Sequence, residues 1–231
     1  IEAIKFSAAK LGIRAKIHWL NSKDFENGHS RTASLAKYAG IIVPGGFGET
    51  GIEGKIKVIE YARTHKIPYF GLCYGMQLAV VEYARHVLGL KGAHTVEIDS
   101  KPVHPVIDVM PDQKKKLAQE DYGGSMRLGV YPAYLKKGTI ARAAYSKEIV
   151  EERHRHRYEV NPEYIKRLED AGLIFSGVSP DKILMEIAEL PKRTHPFFLG
   201  TQFHPELQAR PLRPHPLFTE FLAAALKRSK K

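Results

Sequence analysis

Ile67-Pro68-Tyr69-Phe70-Gly71-Leu72-Cys73-Tyr74-Gly75-Met76-Gln77 reads as a short apolar strand, a tight turn tipped by the chain's single cysteine, and the start of a helix. The pattern predicts that the helix continues through Leu78, Ala79, Val80, Val81, Tyr83, Ala84, Val87 and Leu88. A nucleophile on a sharp strand-to-helix turn strains its own backbone. Glycine at Gly71 and Gly75, two residues either side of Cys73, removes the Cβ atoms that would collide there. The same turn aims the thiol at the first amides of the helix, where the positive end of the helix dipole favours a negatively charged sulfur. A lone cysteine is ordinarily a buried packing residue. The G-x-C-x-G setting makes Cys73 the candidate nucleophile instead.

Working outward from that turn, Tyr38 to Val43 is a second strand-like run, stopped by Pro44-Gly45-Gly46, and Lys55 to His65 is a helix with Ile56, Ile59 and Ala62 on its apolar side. Upstream, Ile1, Ile4, Ala8 and Leu11 recur at helical spacing, with Gly12 as the stop, and Ala15 to Leu20 reads as a strand. Strands alternating with helices, with the reactive turn at a strand's C-terminal end, predict a doubly wound α/β sheet. Such a sheet normally leads with a strand, whereas this chain opens on a helix without methionine, so a preceding strand is expected outside it. Downstream, Thr95 to Ile98, Val106 to Met110, Met126 to Tyr134, Ile149 to Val160, Leu173 to Ser179, Ile183 to Leu190 and Phe197 to Phe203 read as strands. Asp112 to Asp121 reads as a charged loop. Pro162 to Ala171 is a helix capped by Asn161 and ended by Gly172. Pro216 to Lys227 closes the chain as a helix burying Leu217, Phe218, Phe221, Leu222 and Leu226. No repeat or linker divides residues 1–231, which are taken as one domain.

The bulk numbers narrow the class. A chain of 231 residues can bury one substantial core, and 43% hydrophobic with 26% charged residues is ordinary for a globular protein. One cysteine allows no internal disulfide and no multi-cysteine zinc site, which makes a reducing cytoplasm the expected location. No apolar run reaches membrane-spanning length. The formal charge of +11 raises nucleic acid as a partner. Its lysines and arginines are dispersed apart from Lys114-Lys115-Lys116, Arg153/Arg155/Arg157 and the tail, so neither nucleic acid nor membrane is the expected partner. A face docking on another domain explains the charge as well.

A cysteine nucleophile needs a base, an orienter for that base, and donors for an oxyanion. Gly200-Thr201-Gln202-Phe203-His204-Pro205-Glu206 supplies the first two. In an extended chain residues two apart point the same way, so His204 can take the thiol proton while Glu206 holds the imidazole tautomer. The donors are expected from backbone: the N–H of Tyr74, and one in Pro44-Gly45-Gly46-Phe47-Gly48, where bare backbone can approach a ligand. Gly46 to Gly51 also satisfies G-x-G-x-x-G, but the acidic residue that should end the next strand is replaced by Leu72-Cys73, and the nucleotide reading is rejected. In Arg153-His154-Arg155-His156-Arg157-Tyr158-Glu159 an extended backbone would put three arginines on one side and two histidines with Tyr158 on the other. A paired-histidine metal site there lacks completing ligands. An arginine suits a substrate carboxylate, which guanidinium grips with two bonds.

Together these residues resemble the class I, triad-type glutamine amidotransferases, and within them the C-terminal glutaminase domains of the CTP synthase family. The narrower likeness rests on Gly123-Gly124-Ser125-Met126-Arg127-Leu128-Gly129, Glu152 to Asn161, and His215-Pro216-Leu217-Phe218. The resemblance implies a flavodoxin-like, mostly parallel sheet flanked by helices. It implies that Cys73 attacks the side-chain amide of L-glutamine and forms a glutamyl thioester, with His204 as base then acid and Glu206 as orienter. Gly46 and Tyr74 would form the oxyanion hole, and Gly75, Met76, Gln77, Glu97 and Arg157 match the family's glutamine-contacting positions. No cofactor is implied for this chain. In the complete family enzyme an N-terminal synthase domain uses ATP and magnesium to aminate UTP, and the enzyme is a GTP-activated homotetramer. Tyr74 replaces the family's usual leucine after the nucleophile, which alters the pocket wall but keeps the backbone donor. A γ-glutamyl peptidase-like Cys-His-Glu hydrolase and a non-catalytic regulatory module on the same scaffold remain the alternatives.

Overall fold

The computed structural model describes residues 1–109 and 126–230. The predicted charged loop 112–121, and Gly123 to Ser125 of the family likeness, lie outside the described residues. Helix α1 (Glu2–Lys10) ends at Leu11, with Gly12 left-handed at φ +64° as the expected stop. Helix α2 (Ser22–Glu26) is capped by the Asn21 side chain, which accepts from the Lys23 amide at 3.1 Å. Strand β1 (Ile41–Val43), helix α3 (Ile52–Thr64), strand β2 (Tyr69–Leu72) and helix α4 (Tyr74–His86) follow as two strand–helix units. Then come β3 (Ala93–Thr95), β4 (His104–Val109), β5 (Arg127–Leu135), α5 (Ile140–Tyr145), β6 (Ile149–His156), β7 (Tyr158–Val160) and α6 (Pro162–Asp170). The chain ends with β8 (Ile174–Val178), β9 (Met185–Glu189), β10 (Phe198–Thr201) and α7 (Pro216–Ser229).

The expected α/β architecture is present, and its sheet is mixed. Seven strands lie in the order β1-β2-β10-β9-β8-β5-β6. β2 sits between β1 and β10 and runs parallel to both, so the cysteine turn leaves the sheet between two parallel neighbours. The ladders beyond β10 are antiparallel. β3, β4 and β7 form a separate three-stranded sheet. Strand alternation divides the core. Tyr69 faces α4 and α3 in one apolar cluster, while Phe70 and Leu72 face α1 and α7 in the other. There Phe70 meets Phe218 edge-on at 5.0 Å between ring centroids.

Several expected boundaries move. Residues 15–20 form no strand: no ladder partner stands beside them among the described residues, and Ile17, Trp19 and Leu20 are exposed. β1 starts at Ile41 rather than Tyr38, because Gly40 passes under Phe221, where a Cβ would lie 2.7 Å from a ring carbon. α3 starts three residues before the predicted Lys55, with left-handed Gly51 as its cap, and α4 stops at His86, short of Leu88. The predicted 95–98 strand is displaced to Ala93–Thr95, and Glu97 lies in the turn after it, its N–H donating to Thr95 Oγ1 at 3.2 Å. The predicted 149–160 strand breaks at Arg157 into β6 and β7, which enter different sheets. Helix α5 was not anticipated; the Glu189 carboxylate accepts the Ile140 and Ala141 amides at its start. The Asn161 cap and the Gly172 stop of α6 are as expected. In α7, Ala225 is buried and Leu226 only partly so.

Candidate active site

Cys73 stands between β2 and α4 with φ +49° and ψ −98°, a conformation that side chains other than glycine adopt only under constraint. Its neighbours supply the constraint. The Cys73 N–H donates to the Thr201 carbonyl at 2.6 Å, which ties the turn to the end of β10. A Cβ on Gly71 would lie 2.7 Å from the Gly75 backbone, and a Cβ on Gly75 would overlap the Val43 carbonyl of β1. Both glycines flanking the cysteine are therefore required by close backbone approach, as the sequence predicts.

The thiol is 6% exposed and has polar company. It faces the Arg155 carbonyl of β6 at 3.9 Å and receives a donor from Gln202 Nε2 at 3.7 Å. Gln202 is fully buried, and its Oε1 accepts from Gln77 Nε2 at 3.3 Å, whose amide also donates to the Tyr158 carbonyl at 3.0 Å. No local pattern singles out Gln202, which follows Thr201 just after β10; its contact with the thiol identifies it. Gln77, predicted as a substrate contact, here spends its amide group holding β7.

His204 and Glu206 meet as expected, by another local geometry. They do not lie on one extended strand. Pro205 starts a 3-10 turn over Pro205–Gln208, which carries Glu206 back so that its Oε1 sits 2.7 Å from His204 Nδ1. A carboxylate there fixes the Nδ1–H tautomer and leaves Nε2 for the thiol. Burial alone would lower the imidazole, but its interactions with Cys73 and Glu206 outweigh burial and raise it from 6.5 to about 10. A Cβ on Gly45 would come 2.8 Å from His204 Cε1 and 3.8 Å from Cys73 Cβ, so the glycine loop closes over this pair.

The same 203–208 segment covers the outer edge of β6. The His204 N–H donates to the Arg153 carbonyl at 2.8 Å, and Gln208 Nε2 donates to the Glu151 carbonyl at 2.6 Å. With Arg155 facing Cys73, three alternate carbonyls of that strand are engaged by the segments that carry Cys73 and His204.

The predicted substrate residues gather on the other side of the turn. Glu97 Oε1 accepts the Gly48 N–H at 3.2 Å, and the Tyr74 hydroxyl donates to the Gly48 carbonyl at 2.9 Å. A carboxylate on this glycine-loop amide would repel a phosphate, which accords with rejecting the nucleotide reading. Burial raises Glu97, opposed by the Gly48 amide and the positive charge of Arg157. Burial, with Glu97 adding to it, raises the Tyr74 phenol. A Cβ on Gly46 would touch the Tyr74 ring at 3.6 Å. Gly75 lies in the first turn of α4, with its carbonyl taken by the Tyr69 hydroxyl at 2.8 Å. Met76 is fully buried against Gly200 of β10, so only its backbone reaches toward the turn. The arginine–histidine run alternates as predicted as far as His156: Arg153 and Arg155 are exposed, and His154 and His156 are buried. Among the described residues no group of three or more His, Cys, Asp or Glu is placed to hold a metal ion. No helix among them is long and apolar enough to cross a membrane.

This geometry has counterparts. The family described as "Glutamine amidotransferase class-I" matches residues 1–224. The chain is 50% identical over 227 residues to the CTP synthase of Halalkalibacterium halodurans and 52% identical over 225 residues to that of Pyrococcus furiosus. These matches cover 98% and 97% of the chain but 42% and 41% of the relatives, so it spans about two fifths of their length. Among solved structures, the acivicin-bound glutaminase domain of Trypanosoma brucei CTPS superposes with a TM-score of 0.90 at 37% identity, over 98% of this chain and 86% of that one. With its strained cysteine turn, its His204–Glu206 pair and its glycine loop in place, the chain belongs to the class I glutamine amidotransferase family.

Proposed function

We propose that this chain is the glutaminase domain of a CTP synthase, hydrolysing L-glutamine to glutamate and ammonia. The observation that carries the reading is that Cys73, on its strained turn, interacts with His204, which Glu206 holds at 2.7 Å. His204 takes the thiol proton as Cys73 sulfur adds to the side-chain amide carbon of glutamine, and the resulting oxyanion takes the backbone donors of Tyr74 and Gly46. His204 protonates the amine as the C–N bond breaks, leaving a glutamyl thioester. Water then attacks with His204 accepting its proton; the C–S bond breaks and glutamate leaves with the thiol restored. Glu97 receives the substrate ammonium and Arg157 its carboxylate, while Gln77 and the backbone of Gly75 and Met76 shape the wall. The ammonia serves a synthase partner that aminates UTP with ATP and magnesium, in a GTP-activated homotetramer.

The test is labelling with a diazo-ketone analogue of glutamine, followed by peptide mass spectrometry. An adduct on Cys73 that glutamine suppresses and Cys73→Ala abolishes is expected. An adduct that glutamine does not suppress would transfer the site to another substrate, such as a γ-glutamyl peptide. No adduct on folded protein, alone or with the synthase partner added, would reject the catalytic reading.

A further inference from the structure

Behind the reactive face of β6 lies a cluster that the proposed reaction does not use. His154 Nδ1 and His156 Nε2 are 2.9 Å apart, so one ring donates to the other. Their outer nitrogens face carboxyls: His154 Nε2 is 3.6 Å from Glu186 Oε2 of β9, and His156 Nδ1 is 3.3 Å from Glu159 Oε1 of β7. Those two nitrogens and those two oxygens have no hydrogen-bond partner. Arg127 of β5 closes the ring, 2.8 Å from Glu186 and 3.8 Å from Glu159. All five residues are at most 8% exposed.

Along the line from Glu186 through the two histidines to Glu159, only the bond between the two rings is closed in this structure; donor and acceptor arithmetic limits the states the cluster takes when the two outer contacts close as well. If His154 Nδ1 donates to His156, then His154 Nε2 is an acceptor and needs a proton from Glu186, while His156 Nδ1–H donates to a Glu159 carboxylate. If His156 donates instead, every bond reverses: Glu159 carries the proton and Glu186 accepts. Either way at least one carboxyl is protonated, and an ionised partner balances Arg127. The two states differ by three protons each moving one bond, with no change in charge.

We propose that Glu186, His154, His156 and Glu159 form a buried proton-sharing chain, closed by Arg127, that positions β6 against Cys73 and His204. Burial acts on all four groups in the sense that favours neutral rings and a protonated carboxyl. Burial, reinforced by Glu186, holds Glu159 well above the usual carboxylate range, and burial lifts Glu186 to about 7 against the pull of Arg127. Burial, the neighbouring His156 and Arg127 pull His154 down to about 2. Burial and Arg127 pull His156 to about 3. Arg127 lies over the Tyr131 ring at 4.4 Å, Tyr131 and Phe203 both meet His154 edge-on, and His204 and Asp181 are further charges that act on the cluster.

Position follows from alternation along one strand. His154 and His156 interleave with the carbonyls of Arg153 and Arg155, which hold the His204 N–H and face the Cys73 thiol. The Glu186 carbonyl takes the Gln202 N–H at 2.8 Å, so β9 sets the residue that donates to the thiol. These are positioning residues, and the proposal stands whichever amide Cys73 attacks.

Nitrogen-15 spectra of the histidine rings, taken from about pH 5.5 to 8.5, read the tautomers directly. The expected result is that His154 and His156 carry the same tautomer, both Nδ1–H or both Nε2–H, and that neither becomes doubly protonated. Opposite tautomers, or an imidazolium at either position, would overturn the chain. In Glu186→Gln the amide oxygen faces Arg127 and its NH2 faces His154, so both rings should lock as Nδ1–H. The positioning role is read by Cys73 alkylation with iodoacetamide. Glu186→Leu is expected to slow it about tenfold, with Glu186→Gln restoring most of the rate. An unchanged rate in folded Glu186→Leu would reject the positioning role, and should that variant not fold, the ring spectra of Glu186→Gln decide.

Discussion

One methyl group tests the spacing at the reactive pair. Gly45→Ala would place Cβ 2.8 Å from His204 Cε1, so the imidazole must turn away from Cys73. We expect kcat/KM to fall by about a hundredfold, with a thermal midpoint close to wild type. Glu206→Gln removes one of the two interactions that raise His204 against burial, so its titration midpoint, followed by NMR, should drop from about 10. An unmoved midpoint would deny Glu206 its orienting role. The linkage has a definite sign. A histidine raised on folding lends stability that is present below about pH 6.5 and lost as the pH rises through its folded value, and Glu206→Gln should flatten that alkaline loss. The coming together of Cys73, His204 and Glu206 was legible because each carried a local signature. Gln202 was not, since a buried amide has no periodicity; only its contact with the thiol reveals it.

Helices and strands follow their sequence signals where the signal is local. Asn161 caps α6 by accepting the Glu163 amide at 3.1 Å, and its side chain also donates to the Pro105 carbonyl at 2.8 Å. Asn161→Ala should cost about 1–2 kcal/mol in urea unfolding while leaving Cys73 alkylation unchanged. Gly75→Ala should cost more, about 1–3 kcal/mol, because its Cβ would push α4 off β1, and it should reduce alkylation as well. Signals that depend on a partner misled. Residues 15–20 have strand composition but no ladder. The run 149–160 alternates buried and exposed as far as His156, then slips phase at Arg157, so that Glu159 and Val160 are both buried. The slip takes the chain into the second sheet, and a row of alternating charged residues gives no hint of it.

At the scale of the molecule, the parallel part of the sheet was legible because β2 is apolar throughout and followed at once by a helix. The antiparallel extension through β9, β8, β5 and β6 depends on pairing between distant segments, which no local pattern encodes. That extension contains the buried ring, and the ring gives stability a characteristic dependence on pH. His154 and His156, depressed to about 2 and about 3, lend stability that is complete above about pH 6.5 and lost as the pH falls, because the unfolded chain takes up protons that the native state refuses. Glu186, raised to about 7, works the other way: its contribution is complete below about pH 4.5 and declines as the pH rises through its folded value. Between those limits the two effects oppose. Urea midpoints are therefore expected to change less per pH unit from about 4.5 to 6.5 than below about 4.5. A steepest loss within the upper interval would mean that the carboxyls take up no protons there.

β6 is the last strand of its sheet, and a bare last strand is a template on which another chain can add. Here three of its alternate carbonyls are occupied by His204, Gln208 and Cys73, so the segments of the candidate site also seal the sheet. Substitutions that loosen residues 203–208 should thus expose a sticky border and promote edge-to-edge aggregation. Loss of turnover and loss of solubility would then arise together from a single displaced loop.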